Sequence, residues 1–188
     1  TRTGHKCDCH LLNDTAKMTD EESFGANFIE GSMHRLFDEA LPRLRKCIDQ
    51  LSDEQLWYRP NEHSNSAGNL ILHLNGNIKQ WIISGLGSAE DNRMRQNEFD
   101  KRKGIPKSQL INELEAVMGD ARKVISNLDP MELIHKRNIQ GFHETGISML
   151  LHVVEHYSYH VGQITYIVKT LKNMDMGYYD GEDLNITG

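Results

Sequence analysis

The chain has 188 residues, enough for one ordinary hydrophobic core and short for two independent ones. It is 38% hydrophobic and 26% charged, and no apolar run approaches the ~20 residues needed to cross a bilayer, which excludes a helical membrane span. A formal net charge of −6 sets the overall field against phosphate backbones and excludes an unspecific grip on nucleic acid.

Residues 1–17 show no amphipathic period and read as a tail or a tag remnant, with the single domain expected over 18–188. His5, Cys7, Cys9 and His10 within it are metal-binding side chains, but they lack the paired spacing of a structural zinc site. With Cys47 the cysteines number three, and no charged, apolar, cleavable leader precedes them. A cytoplasmic location is the expectation, rather than a secreted disulfide framework.

The first helical pattern runs from about Glu22 to Leu51, with Phe28, Met33, Leu36, Phe37, Leu41, Leu44 and Ile48 spaced three to five apart, and Pro42 should kink or split it. Ser52 with Gln55 has the form of a capping box, and Pro60 to Asn65 reads as a loop. From Ser66 to Leu86 the residues Ala67, Leu70, Ile71, Leu74, Ile78, Trp81 and Ile82 form one helical face, the clearest period in the chain. The charged stretch from Ser88 to Gly104 reads as a long connection. A third helix is predicted over about Lys107 to Leu128, ended by Asp129 and Pro130, and a fourth over about Thr145 to Leu171. No alternating segment is long enough to predict a sheet, so the expected fold is all-α, a four-helix bundle.

The chemistry concentrates in the fourth helix, where His152, His156 and His160 are spaced four and four. Four residues advance a helical side chain by about 40° and raise it about 6 Å, so adjacent pairs can reach one ion, whereas all three would need a broken helix. An apolar stripe centred near Leu150, Val154 and Val161 leaves His160 closest to its edge and His152 furthest away, which favours His156 with His160. His73, among the polar residues Ser66, Asn69, Asn77 and Gln80 on helix two, is the candidate third ligand. Three neutral imidazoles with an open position would be a catalytic type of zinc site. Beside this stands a structural reading, in which the pair belongs to a solvated face and His73 is a partly buried polar residue. Tyr157 fits the core stripe and Tyr159 and Tyr166 point outward, while His34, His63, His135 and His143 have no partner at ligand spacing.

Two stretches resemble the DinB-like superfamily, also called YfiT-like, and more narrowly its uncharacterised bacterial branch. SNSAGNLILHLNGNIKQWIISGLG, from Ser64 to Gly87, is similar to the second-helix signature, with Trp57, Arg59 and Pro60 ahead of it; HVVEHYSYHVGQI, from His152 to Ile164, is similar to the fourth-helix pattern. The resemblance implies an up-down-down-up bundle, with His73, His156 and His160 holding one divalent ion, zinc or nickel above others, and a homodimer built through helix faces. It also implies a metal-dependent enzyme for a small-molecule substrate, first a thiol S-transferase that uses a low-molecular-weight thiol such as bacillithiol or mycothiol. A metal-dependent hydrolase and a non-enzymatic metal-binding stress-response protein are the alternatives. Many relatives carry His-His-Arg-Gly-Gln where this chain has Tyr159, His160, Val161, Gly162 and Gln163, so an anion-binding arginine is missing from that position.

Overall fold

Thr19 starts the first helix with a reciprocal cap: its hydroxyl accepts from the Glu22 N–H at 3.1 Å, and its own N–H donates to Glu22 Oε2 at 2.8 Å. In the computed structural model, which describes residues 18–187, this cap opens α1 (Asp20–Met33). The 1–17 segment, with its Cys-x-Cys cluster, lies outside the described residues. Pro42 does not break the helical column. A π-helical stretch, His34–Ala40, precedes α2 (Leu41–Asp49), so the proline falls in the first turn of a new α-helical run, where its missing N–H costs least. The predicted Ser52–Gln55 box caps the short α3 (Asp53–Leu56).

A third reciprocal cap, Ser66 with Asn69, opens α4 (Ala67–Ile78), which continues as a π-helical stretch, Lys79–Ser84. The predicted connection that follows contains a helix of its own, α5 (Arg95–Asp100). Helix α6 (Lys107–Ser126) and the long α7 (Gly146–Lys172) lie close to their expected places, α7 being capped by the Thr145 hydroxyl and ended at Asn173 in the left-handed conformation.

The expectation that no sheet would form is corrected. Lys136–Ile139 (β1) and Phe142–Thr145 (β2) pair antiparallel, with Ile139 opposite Phe142. Gln140 and Gly141 both have positive φ, 50° and 82°, as a two-residue hairpin turn requires. Strands of four residues are too short to show alternation above the background of a polar loop.

The molecule is thus mainly helical with one small hairpin. Its core is built from the apolar stripes of the long helices, including Leu36, Leu44, Ile71, Leu114, Leu150 and Ile164, all essentially buried. Helix α4 packs against α5, α6 and α7, and α2 packs against α7. On α7 Leu150, Tyr157 and Val161 of the expected stripe are buried, Val153 joins them and Val154 is half-buried, while Leu151 is 55% exposed. No described helix is long and apolar enough to cross a membrane.

Candidate metal centre

Along α4 and its two ends runs a side that is unusually polar for a buried one: Ser66, Asn69, His73, Asn77 and Gln80 are all buried, with Asn69 and Gln80 bonded to the connection that carries α5 and Asn77 beside His152 where α4 packs on α7. This packing brings His73 to the two histidines one turn apart on α7. His156 Nε2 lies 3.0 Å from His73 Nε2 and 3.2 Å from His160 Nε2. The ligand atoms of all three residues lie within 4.8 Å of one another. Bonds of about 2.0–2.1 Å to a common ion would separate neighbouring nitrogens by roughly 3.0–3.4 Å, so the spacing fits one ion.

The outer nitrogens say which way the imidazoles are protonated. Glu98 Oε2 lies 2.8 Å from His73 Nδ1, and an ionised carboxylate only accepts, so Nδ1 carries the proton and Nε2 presents a lone pair. Arg93 Nη2 is also 3.1 Å from Nδ1, but two donors cannot bond each other, and its proper partner is the same Oε2 at 2.9 Å. His160 Nδ1 donates to Gln163 Oε1 at 2.7 Å, and Gln163 Nε2 in turn donates to the Tyr159 hydroxyl at 3.1 Å. Two lone pairs therefore already point at His156 Nε2. Among the described residues His156 Nδ1 is buried without a partner, so neither tautomer of this ring satisfies all the nitrogens around it. A divalent cation among three Nε2 lone pairs resolves that convergence, and the donor set is one such ions accept.

Electrostatics favour neutral ligands. Burial, with His160, His73, His152 and Arg93 adding smaller effects, lowers the His156 pKa to about 3. Burial likewise lowers His160, against its hydrogen bond to Gln163 Oε1, which raises it. For Glu98, burial on its own would raise the carboxyl; the hydrogen bonds from His73 and Arg93 together with their charge outweigh it and hold the group ionised.

Glu98 and Arg93 come from the stretch that sequence reasoning treats as a bare connection. Arg93 Nε donates to Glu98 Oε1 at 2.8 Å, Arg93 Nη1 donates to Gln80 Oε1 at 2.9 Å, and Gln80 Nε2 donates to Asp91 Oδ2 at 2.8 Å. Asn69 ties this segment down by donating from Nδ2 to the Glu98 and Lys101 carbonyls, at 2.9 and 2.7 Å. Nothing in the sequence separates Glu98 from Glu90: both sit in a charged run without a period. His152, the rejected alternative, is not turned to solvent. It is half-buried, stacked on Trp81 with ring centroids 4.0 Å apart, with the Asn77 amide nitrogen 3.3 Å from its Nε2.

A groove of about 1020 Å³ begins one helical turn away, past Leu70 on α4 and Gln163 on α7, and extends along Tyr159, Tyr166 and Ile167 to Tyr58. The three histidines do not line it. Tyr159 and Gln163 are shared between its wall and the hydrogen bonds that orient His160.

Fold and site together define a mainly helical protein with a half-buried cluster of three histidines in metal-ligand geometry. The family described as "Protein of unknown function (DUF1572)" matches residues 23–179, and the chain belongs to it. Among solved structures, a DinB-like protein from Bacillus cereus ATCC 10987 is similar, at 18% sequence identity, a TM-score of 0.61, and coverage of 76% of this chain and 91% of that one. That likeness places the chain in the DinB-like fold. A comparison with curated proteins finds no match.

Proposed function

We propose that the protein is a divalent-metal-dependent enzyme, a thiol S-transferase in which His73, His156 and His160 hold one zinc or nickel ion and a low-molecular-weight thiol such as bacillithiol is the co-substrate. The observation that carries this reading is the convergence of three Nε2 atoms whose two flanking rings are held as Nδ1–H tautomers. An ion bound there would lower the pKa of a coordinated thiol and present it as a thiolate.

The chain's own residues favour thiol transfer over hydrolysis. A hydrolase needs a proton acceptor beside the ion, and Glu98, the carboxylate in contact with the cluster, has both oxygens committed to His73 and Arg93. Arg95 is exposed and has no carboxylate partner within 4.0 Å among the described residues. It lies over the Phe99 ring at 4.9 Å, and Phe99 packs on His73 at 4.7 Å, so a positive charge is available for an acidic thiol although position 161 is valine.

In this reading the long helical columns form an up-down-down-up bundle, the protein works in the cytoplasm, and a homodimer covers the outward face of α7, where Leu151, Tyr159 and Tyr166 are exposed. The test is metal and thiol binding. Protein purified without a metal column should retain close to one equivalent of zinc or nickel, and the cobalt-loaded form should gain a thiolate charge-transfer band with a small thiol. A metal-loaded protein that binds no small thiol would remove the transferase reading and leave the metal site.

A further inference from the structure

Helix α4 carries a glycine in its interior, Gly76, where glycine is a poor helix former. A Cβ at Gly31, Gly119 or Gly162 would meet nothing within 4 Å, and at Gly25, Gly68 and Gly146 it would press on Pro130, Trp57 and Leu133, away from the histidines. At Gly76 a Cβ would overlap Glu98 Oε1 and stand 2.9 Å from both Glu98 Cδ and Arg93 Nε. We propose that Gly76 is a positioning residue for the metal centre, its missing side chain leaving the notch in which the Glu98–Arg93 pair seats against His73. This rests on the metal-binding reading above.

A carboxylate tip would ordinarily swing away from an added methyl group, but this one is held from every side. Oε1 accepts from Arg93 Nε, Oε2 accepts from His73 Nδ1 and Arg93 Nη2, and the Glu98 carbonyl is tied to Asn69. The Glu98 and Arg93 side chains are only 10% and 4% exposed, and the open space beside them, a cleft of about 510 Å³ that Gly76 also lines, is not lined by His73, so a carboxylate that swings into it moves off the imidazole. Relief of the overlap therefore comes from the carboxylate leaving His73. The imidazole then loses the acceptor that keeps its proton on Nδ1, and the tautomer with a proton on Nε2 cannot bind the ion through that nitrogen, the one that faces His156. Gly76 thus acts on the ion through Glu98 and His73, without touching it.

The test is the affinity of the metal-free protein for zinc and cobalt, measured by chelator competition in the parent, Gly76→Ala, Glu98→Ala and the double variant, with Gly119→Ala as the control helix substitution. Loss of a partner that orients a ligating histidine weakens metal binding by roughly 10–100-fold. Gly76→Ala should fall in that range, with a changed cobalt visible spectrum. The double variant should bind no worse than Glu98→Ala, because the overlap vanishes with the carboxylate, and Gly119→Ala should match the parent. Should Gly76→Ala alone fail to fold, the double variant must still fold and match Glu98→Ala. Zinc affinity within twofold of the parent in Gly76→Ala, or losses that multiply in the double variant, would overturn the role of Gly76 while leaving the site. A parent that binds neither zinc nor cobalt would overturn both.

Discussion

Glu98 Oε2 accepts a hydrogen bond from His73 Nδ1–H at 2.8 Å, and that one bond decides which nitrogen of His73 faces the other two imidazoles. It crosses from a short helix in a charged connection to the middle of α4. The same carboxylate is paired to Arg93, so the orientation of a candidate ligand and the stability of a buried ion pair depend on each other.

Removing His156 tests the centre most directly, since its Nε2 is the atom within reach of both other rings. His156→Ala should lose the bound equivalent of metal under conditions where the parent keeps it, read by elemental analysis of both proteins purified side by side. Equal metal in the two would show that the ion, if present, sits elsewhere.

Arg93→Ala leaves the Glu98 carboxylate buried with one partner fewer. Breaking a buried ion pair from one side costs about 3–5 kcal/mol, and Arg93→Ala with Glu98→Gln together should recover a large part of it. Urea unfolding of the metal-free proteins measures both. A single variant as stable as the parent would mean the pair contributes nothing net.

The metal-free fold should weaken in acid well before its carboxylates titrate. His156 has its pKa lowered to about 3 in the folded chain, with His152 and His160 also lowered, while the unfolded chain takes up protons near 6.5. Below that value the unfolded state binds more protons than the folded one, so stability falls as pH drops from about 6.5 toward 3. Denaturation midpoints at pH 7.5, 6 and 5 should decline in that order, and His156→Ala should flatten the trend. Identical midpoints at the three values would contradict it.

Asn69 has two jobs that one pair of substitutions separates. Its Oδ1 accepts from the Ser66 N–H and hydroxyl, and its Nδ2 holds the Glu98 and Lys101 carbonyls. Asn69→Ala loses both and should cost about 1–2 kcal/mol in unfolding free energy. Asn69→Asp keeps the cap acceptor but sets a buried carboxylate oxygen against the Glu98 and Lys101 carbonyls, so it should cost more than Asn69→Ala and weaken zinc binding further. Zinc titrations beside melting curves distinguish the two effects.

Tyr157 is the reverse case. Its ring is buried at the centre of α7's inner face, and its hydroxyl has no hydrogen-bond partner among the described residues. Because an unpaired buried hydroxyl is a liability, Tyr157→Phe should leave the melting temperature unchanged or raise it. A marked fall would reveal a partner for the hydroxyl.

What could be read along the chain was whatever depends on neighbours in sequence. The apolar periods of the long helices, the Ser52 cap and the four-residue step from His156 to His160 are local geometry, since a helix repeats every 3.6 residues wherever it is placed. The choice of His156 with His160 followed from the same wheel, which nevertheless put His152 too far outward, because a wheel knows nothing of Trp81 on the facing helix. Tertiary structure alone decided that the polar flank of α4 is buried, that a hairpin fits between α6 and α7, and that Glu98 and Arg93 come back over Gly76 to His73. Those contacts join residues 13 to 83 positions apart through segments with no period of their own, so their pairing is set by the packing of α4, α5 and α7 and leaves no trace in the local pattern.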